Sequence, residues 1–400
     1  MTSSAANPDK SLPIQRKWVS SKNQSPSSDG ACTDGFVVVS YNILADCHVT
    51  DETYPYLPKG YRTIYERHPQ LMMELRHHGN ADVICLQEVN GKYFKETLAP
   101  ALSELGYEGF HGNKALGVDE GVATFYKQSR FVLESHRVCY CKDQVKEEIS
   151  QRLVPSDQAK AILDRTLKET MMMSLLLCCK RTGQVVALAN VHPFWMNHIA
   201  MDVVTLQIAL AVNELVQFAS GKSSALLMCG DFNTEPHMPA YQLLQDGHLG
   251  DQNRESLRKF DIVPKENPTK CFHLIDVMSE SFKHPICDFQ SAYKEIIGAE
   301  VPFSQFHDTD GTEWKEQHQK AGTPTETRQR YDPESTRPRG RRIKALDYLW
   351  FSSHTLACDG ALEMVAREVL DSLYACPNTV FPSDHLLMKA EFHFKVATRS

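Results

Sequence analysis

The 400-residue chain has no apolar run approaching the ~18 residues of a membrane span; its longest, Met171 to Cys179, is nine residues and includes Ser174. Its 20 Gly and 20 Pro show no period, which excludes collagen-like and low-complexity chains. The G-x-x-x-x-G-K-S/T loop and the G-x-G-x-x-G turn are absent, and with them the usual glycine-built phosphate cradles. No G-x-S-x-G elbow marks a serine nucleophile. No C-x-x-C pair marks zinc or thioredoxin chemistry, so the 12 scattered cysteines read as reduced intracellular thiols. Positive charge is short as well: 43 Lys and Arg against 50 Asp and Glu leave a net charge of −7. That sign is wrong for holding a polyanion by bulk charge, so a nucleic-acid ligand requires a local basic patch or a bound cation.

What is present is ordinary globular material, 42% hydrophobic and 23% charged, in a length that allows one large domain or two to three smaller ones. Strand-like runs recur at 36–41, 82–86, 122–126, 185–191 and 225–229, with further ones starting at Leu346 and Leu386. A helix is expected at Tyr93–Leu105. Ile199, Val203, Leu206 and Leu210 step along one face of an amphipathic helix. Strands and helices intermixed over the whole chain predict a layered α/β domain. Residues 1–34 read as a disordered tail or a weak leader, and 35–398 as the catalytic domain. Residues 141–170 read as an exposed, helix-permissive excursion. A polar insertion at about 250–343 ends in Arg328, Arg330, Arg337, Arg339, Arg341, Arg342 and Lys344, which with Asp332 and Glu334 make 328–344 net +5. Such a loop is either functional or disordered.

Five motifs place acidic, amide or imidazole groups at strand ends: Ser40-Tyr41-Asn42-Ile43-Leu44-Ala45-Asp46, Cys85-Leu86-Gln87-Glu88-Val89, Ala189-Asn190-Val191-His192, Cys229-Gly230-Asp231-Phe232-Asn233, and Leu346-Asp347-Tyr348 with Pro382-Ser383-Asp384-His385. Each alone is acceptable as a cap or a turn. Five in order, each at a strand terminus, are hard to explain that way. Glu88, Asp231, Asp384 and Asn233 are hard oxygen donors suited to Mg²⁺. His192 and His385 titrate near neutrality and can exchange protons or donate to a phosphate oxygen. Carboxylates, a divalent cation and imidazole without a covalent nucleophile suit direct attack of water on a phosphodiester.

These motifs resemble the endonuclease/exonuclease/phosphatase superfamily across most of residues 36–396. Tyr41–Asp46 and Cys85–Val89 are similar to its deadenylase branch, with Nocturnin, Angel and the carbon catabolite repressor deadenylases. Ala99-Pro100-Ala101-Leu102 and Glu120–Tyr126 look most like the 2′,5′-phosphodiesterase type that also trims poly(A). The resemblance implies a four-layer α/β/β/α sandwich of two mixed β-sheets with a Mg²⁺ site (one or two ions, Mn²⁺ as a substitute) at one end. By position, Asn42 orients the metal site and Glu88 ligates the ion. His192 and Asn233 contact phosphate or substrate, and Asp231 orients or deprotonates the attacking water. Asp347 pairs with His385, which stabilises the reacting phosphate, while Asp384 serves a second cation.

The implied activity is removal of nucleotides from the 3′ end of poly(A) or oligoadenylate, and only the likeness to the 2′,5′-phosphodiesterase type raises cleavage of 2′-5′ linkages as well. The alternatives are a phosphatase on a small phosphorylated nucleotide or dinucleotide, and a non-catalytic RNA-binding adaptor. The partner is then RNA with 3′ adenosines or oligoadenylate, with no membrane involved. No leucine-rich repeat precedes the motifs, so docking through such a module is not expected. The compartment is expected to be cytoplasmic, with the mitochondrial matrix as the alternative. Pro193-Phe194-Trp195 follows His192 where relatives carry other triplets. The Thr-Asn pair and aromatic that relatives carry before Asp347 are replaced here by Thr327-Arg328 and the arginines from Arg339 onward. Trp195 and Arg342 are the expected substrate contacts, and core packing is the competing role for Trp195 and Tyr348.

Overall fold

Short β-branched runs buried on both faces make strands that stack as two sheets. The computed structural model describes residues 14–21, 35–78, 80–222, 224–309 and 340–395. One sheet orders seven strands as β1 (Trp18–Ser20), β16 (Leu356–Leu362), β17 (Met388–Phe394), β2 (Phe36–Asn42), β3 (Val83–Val89), β5 (Gly121–Lys127) and β4 (Tyr107–Asn113). The other orders six as β12 (Phe289–Ser291), β15 (Asp347–Ser352), β9 (Ser224–Asp231), β8 (Val185–Val191), β7 (Met171–Cys179) and β6 (Phe131–Tyr140). Two further pairs, β10 (Asp261–Ile262) with β11 (Phe272–His273) and β13 (Gln305–Thr309) with β14 (Gly340–Lys344), stand apart. Pairing is mixed: β2 with β3 and β8 with β9 run parallel, and the remaining neighbours antiparallel.

Phe36, Val38, Val83, Cys85, Leu188, Leu227, Leu349 and Met388 form the core between the sheets. Outside the first sheet lie the helix Ile64–His77 and a continuous helical stretch at 91–103. Ile64–His77 starts at a capping box, with Thr63 and Glu66 bonding each other's backbone N–H. Outside the second sheet lies the helix Asn197–Ala219. This is the expected four-layer α/β/β/α sandwich.

Several expectations need revision. Asn197–Ala219 is apolar nearly all round and long enough to cross a membrane by length and composition, yet it is mostly buried. It is packed by the sheet on one side and by the helix Cys141–Gln151 and the segment around Leu274–Met278 on others, so the amphipathic description is too narrow. The excursion at 141–170 forms two helices, Cys141–Gln151 and Ser156–Thr166, which bury Val145, Ile149 and Ile162. Residues 14–21 are not a free tail. β1 pairs with β16, Trp18 packs over Gly360, and the Arg16 guanidinium donates to the Glu363 carbonyl at 2.7 Å. The polar stretch from 250 is largely ordered to 309: it supplies β12 to the second sheet and β13 to the site, and buries Leu274, Phe282, Phe289 and Tyr293. Its apolar residues are too widely spaced to show a period, and they divide between the core outside the second sheet and the core between the sheets. Arg328, Arg330, Arg337, Arg339 and Thr327 lie outside the described residues.

One backbone position holds the two parallel strands β8 and β9 in contact. Gly230 has φ +148°, and a Cβ there would sit 2.0 Å from the Val191 carbonyl oxygen. Gly230→Ala is expected to destabilise the protein by about 2–4 kcal/mol. Chemical denaturation measures this directly, and an unchanged midpoint would contradict the close approach.

Candidate active site

Along a strand, alternate side chains face the same way. On β9, Ala225, Leu227 and Cys229 face the other sheet, so Asp231 at the strand end faces the space between the sheets. The same count from Leu349 and Phe351 places Asp347 on β15, and from Val186 and Leu188 places Asn190 and then His192 at the end of β8. From Phe36 and Val38 it places Ser40 and Asn42 on β2. Glu88 breaks the count. Val83 and Cys85 face the other sheet, and Gln87 reaches Asn190 Oδ1 at 2.8 Å, so alternation would send Glu88 outward with Leu86. A bulge between Gln87 and Val89, with Glu88 at φ +57°, turns it back to the cavity. Leu44 and Asn233 also hold positive φ at the site, 61° and 49°, a clustering of strained backbone that marks functional regions.

The loops that meet these strand ends are bolted together. The buried Arg67 guanidinium donates to the carbonyls of Ile43, Leu44 and Pro382 at 2.6–2.9 Å and to Asp46 Oδ1 at 3.2 Å. Ser383 Oγ donates to the Asn42 carbonyl at 2.7 Å. Asn42 Nδ2 donates to Glu88 Oε1 at 2.9 Å and to Asp231 Oδ2 at 3.1 Å, so one neutral amide holds two carboxylates side by side. His192 Nε2 lies 3.5 Å from Asp231 Oδ2 and 3.9 Å from Glu88 Oε1. The Asn233 N–H donates to Asp231 Oδ1 at 2.9 Å, and its side-chain amide is fixed on the Pro193 carbonyl at 3.1 Å, which gives the unusual Pro193 a place in the site.

Asp231 and Asp347 are direct cross-strand partners of β9 and β15, two like charges opposite each other. His385 resolves the conflict by standing between them. Its Nδ1 donates to Asp347 Oδ2 at 2.7 Å and its Nε2 lies 3.6 Å from Asp231 Oδ2. Ser304 Oγ donates to the same Asp347 oxygen at 2.6 Å. Burial opposes charge on His385, but Asp347, Asp231 and Asp384 together outweigh it and push the imidazole well above its ordinary pKa. Burial pushes Asp231 up to about 7, with Asp347 adding and His385 opposing. Burial, with Lys114 adding, pushes His192 well below its ordinary value, so it stands neutral.

Glu88, His192, Trp195, Asp231, Asn233, Arg342, Asp384 and His385 all line one cavity of about 400 Å³, with Asn42 and Asp347 bonded to them from behind. Trp195 is a half-buried wall of that cavity, whereas Tyr348 is core, its hydroxyl spent on the Thr234 and Ala345 carbonyls. Asp384 is the departure. Its Oδ2 accepts from Tyr54 at 3.1 Å, Gln305 at 3.1 Å and His307 at 2.7 Å. Against burial, His385 and His307 hold its carboxyl well below the usual range. Those three donors anchor Oδ2. Residues absent from the sequence reading also enter the cavity: His48, Tyr54, Lys114, Gln305 and His307. Ser304 bonds Asp347 and Gln305 lies 3.1 Å from His385, and no local pattern marks either residue.

Glu88, His192 and Asp231 offer ligand atoms within 4.8 Å of one another. The two carboxylates are bridged by an amide and not by Lys or Arg among the described residues. That donor set fits a hard divalent cation.

The sequence profile of the Endonuclease/Exonuclease/phosphatase family matches residues 39–385. Carbon catabolite repressor protein 4 homolog 1 of Arabidopsis thaliana is 27% identical over 379 residues, which is 89% of this chain and 57% of that protein. The CCR4-Not complex 3′-5′-exoribonuclease subunit Ccr4 of Candida albicans is 26% identical over 392 residues, 91% of this chain and 42% of that protein. The chain thus spans about half the length of the curated relatives it matches. The crystal structure of ANGEL2, a 2′,3′-cyclic phosphatase, aligns with a TM-score of 0.67 at 21% identity, over 95% of this chain and 98% of that one. The human Nocturnin catalytic domain with bound sulfate aligns at 0.54 and 20%, over 95% and 97%. At these identities the two structures share the fold.

Proposed function

The chain belongs to the Endonuclease/Exonuclease/phosphatase family, and from that membership and the cavity just described we propose a Mg²⁺-dependent 3′-exoribonuclease of deadenylase type, acting on poly(A) or oligoadenylate and on 2′-5′ linkages. One observation supports it above the rest. Glu88, Asp231 and His385, from three separate parts of the sequence, line a single cavity with Asp347 locked behind His385. The curated relatives named as 3′-5′-exoribonuclease subunits support RNA as the substrate class.

Glu88 and Asp231 would hold the ion, which when bound supplies Lewis-acid polarisation of a phosphoryl oxygen. Asp231, ionised, accepts the proton of the attacking water. His385 Nε2–H, held protonated by Asp347, donates to the charge that develops on the phosphate or the departing oxygen. Neutral His192 and the fixed amide of Asn233 position the phosphate, and half-buried Trp195 offers a face for a base. Because Asp231 works ionised and burial raises it to about 7, turnover is expected to rise with pH as it loses its proton. The midpoint lies at or below about 7, since a bound cation favours the ionised form. A pH–rate profile that instead falls as pH rises from about 5 to 7 would contradict this role.

A small nucleotide bearing a second phosphate is the second reading, favoured by Lys114 and Arg342 both lining the cavity. Purified protein given Mg²⁺ with oligo(A), oligo(C), 2-5A and a dinucleotide phosphate separates the two. Single-nucleotide shortening of oligo(A) from its 3′ end, releasing AMP, is expected. Phosphate release from the dinucleotide with oligo(A) left intact would overturn the ribonuclease in favour of the phosphatase.

A further inference from the structure

Cys47 and His48 play no part in the hydrolysis above, yet both side chains converge on one oxygen of buried Glu120. His48 Nε2 lies 3.1 Å from Glu120 Oε2, and Cys47 Sγ lies 3.7 Å from the same atom. Lys114 is bonded to the other oxygen, Oε1, which leaves Oε2 turned toward Cys47 and His48. The catalytic Glu88 carboxylate lies beside the group, its Oε2 3.8 Å from His48 Nε2 while accepting the Ala45 N–H at 3.0 Å. Cys47, His48 and Glu120 each offer a ligand atom within 4.8 Å of the others.

The two separations at Glu120 Oε2 are close to those of a tetrahedral metal site. With bonds of ~2.0–2.1 Å to nitrogen and oxygen and ~2.3 Å to sulfur, tetrahedral geometry sets N and O ligands about 3.4 Å apart and S and O ligands about 3.6 Å apart. The two distances at Glu120 Oε2 differ from those values by a few tenths of an ångström, within side-chain adjustment. The donor chemistry differs from that on the other face of Glu88. There the ligand atoms around Asp231 include two carboxylate oxygens and suit Mg²⁺, whereas thiolate and imidazole select a borderline-soft ion.

We propose that Cys47, His48 and Glu120 form a second cation site for a divalent ion of zinc type, with the fourth position left to water. The inference goes beyond the ribonuclease reading, whose ion would be held by Glu88 and Asp231. Binding is balanced by protons: the ion gains bonds to Sγ and Nε2, the Cys47 thiol proton leaves to solvent, and so does any proton on His48 Nε2.

The test titrates the metal-stripped full chain with Cd²⁺ and reads the ultraviolet thiolate-to-metal charge-transfer band. A band saturating at one ion per chain is expected. It should be lost in Cys47→Ser and need at least about tenfold more Cd²⁺ in His48→Ala, while persisting in Asp231→Asn and Cys271→Ser. Cys271 is the control because it shares an exposed cluster with Asp261 and His273. A band that survives Cys47→Ser, or that vanishes with Cys271→Ser, overturns the proposal, as does no thiolate band at one equivalent of Cd²⁺. The band reports ligation and not turnover, so its outcome stands whether or not oligo(A) proves to be the substrate.

Discussion

Asp231→Asn is expected to lower turnover of oligo(A) by about a thousandfold or more, while the melting temperature stays within about 3 °C of the parent. The substitution preserves shape and the acceptor for the Asn233 N–H, now 2.9 Å from Oδ1. At the other oxygen it turns an amide NH₂ toward Asn42 Nδ2, which currently donates there at 3.1 Å. The lost hydrogen bond costs about 1 kcal/mol, offset by removing one of two carboxylates that face each other across β9 and β15. Stability therefore changes little. Chemistry does not survive as well, because the amide cannot accept a proton from water and is a far poorer cation ligand. Single-turnover shortening of a 5′-labelled oligo(A), run beside a thermal melt, reads both. Parent-like turnover in a folded variant would sink the assignment of Asp231, and with it the chemical reading of the cavity.

The second large effect is expected at a residue that lies behind the cavity wall. Asp347 acts through His385, accepting its Nδ1–H at 2.7 Å and by its charge favouring the imidazolium, which carries Nε2–H toward the cavity. Asp347→Asn keeps the size and an acceptor but removes the charge that helps hold His385 protonated against burial. We expect kcat to fall by about 10²–10⁴-fold. The sign of the pH effect follows. His385 works protonated, so activity is lost as pH rises through its pKa, and removing Asp347 lowers that pKa. The alkaline limb should move to lower pH by at least about one unit. A variant that only loosens the fold would lose activity without moving the limb, so an unmoved limb would refute the positioning role.

Four site residues could be placed by counting. Asn42, His192, Asp231 and Asp347 each end a strand in phase with apolar residues that face the opposite sheet, and period two is a local property visible in the letters. The nature of the side chains was equally legible, since hard oxygen donors and imidazoles name a class of chemistry wherever they meet. The acid–imidazole pair of Asp347 and His385 was expected and is present. Glu88 was identified by motif alone. By alternation it belongs on the outer face, and only a bulge with a positive φ delivers it to the cavity.

Other features had no local signature. β1 exists because β16 offers it an edge and Gly360 leaves room for Trp18. Gln305 and His307 belong to a stretch whose composition suggested a loop, yet β13 carries both onto Asp384. The convergence of Cys47 with Glu120 joins residues 73 apart, and nothing near either one announces the other. By itself the sequence determined a layered α/β domain and the reagents at its strand ends, because backbone alternation and side-chain chemistry are short-range, while the four-layer order was implied by the family resemblance. The tertiary structure alone decided how Glu88 is aimed, which partners restrain Asp384, and which groups share the cavity. Those outcomes depend on bulges, sheet edges and long-range packing, whose energies arise only when distant segments meet.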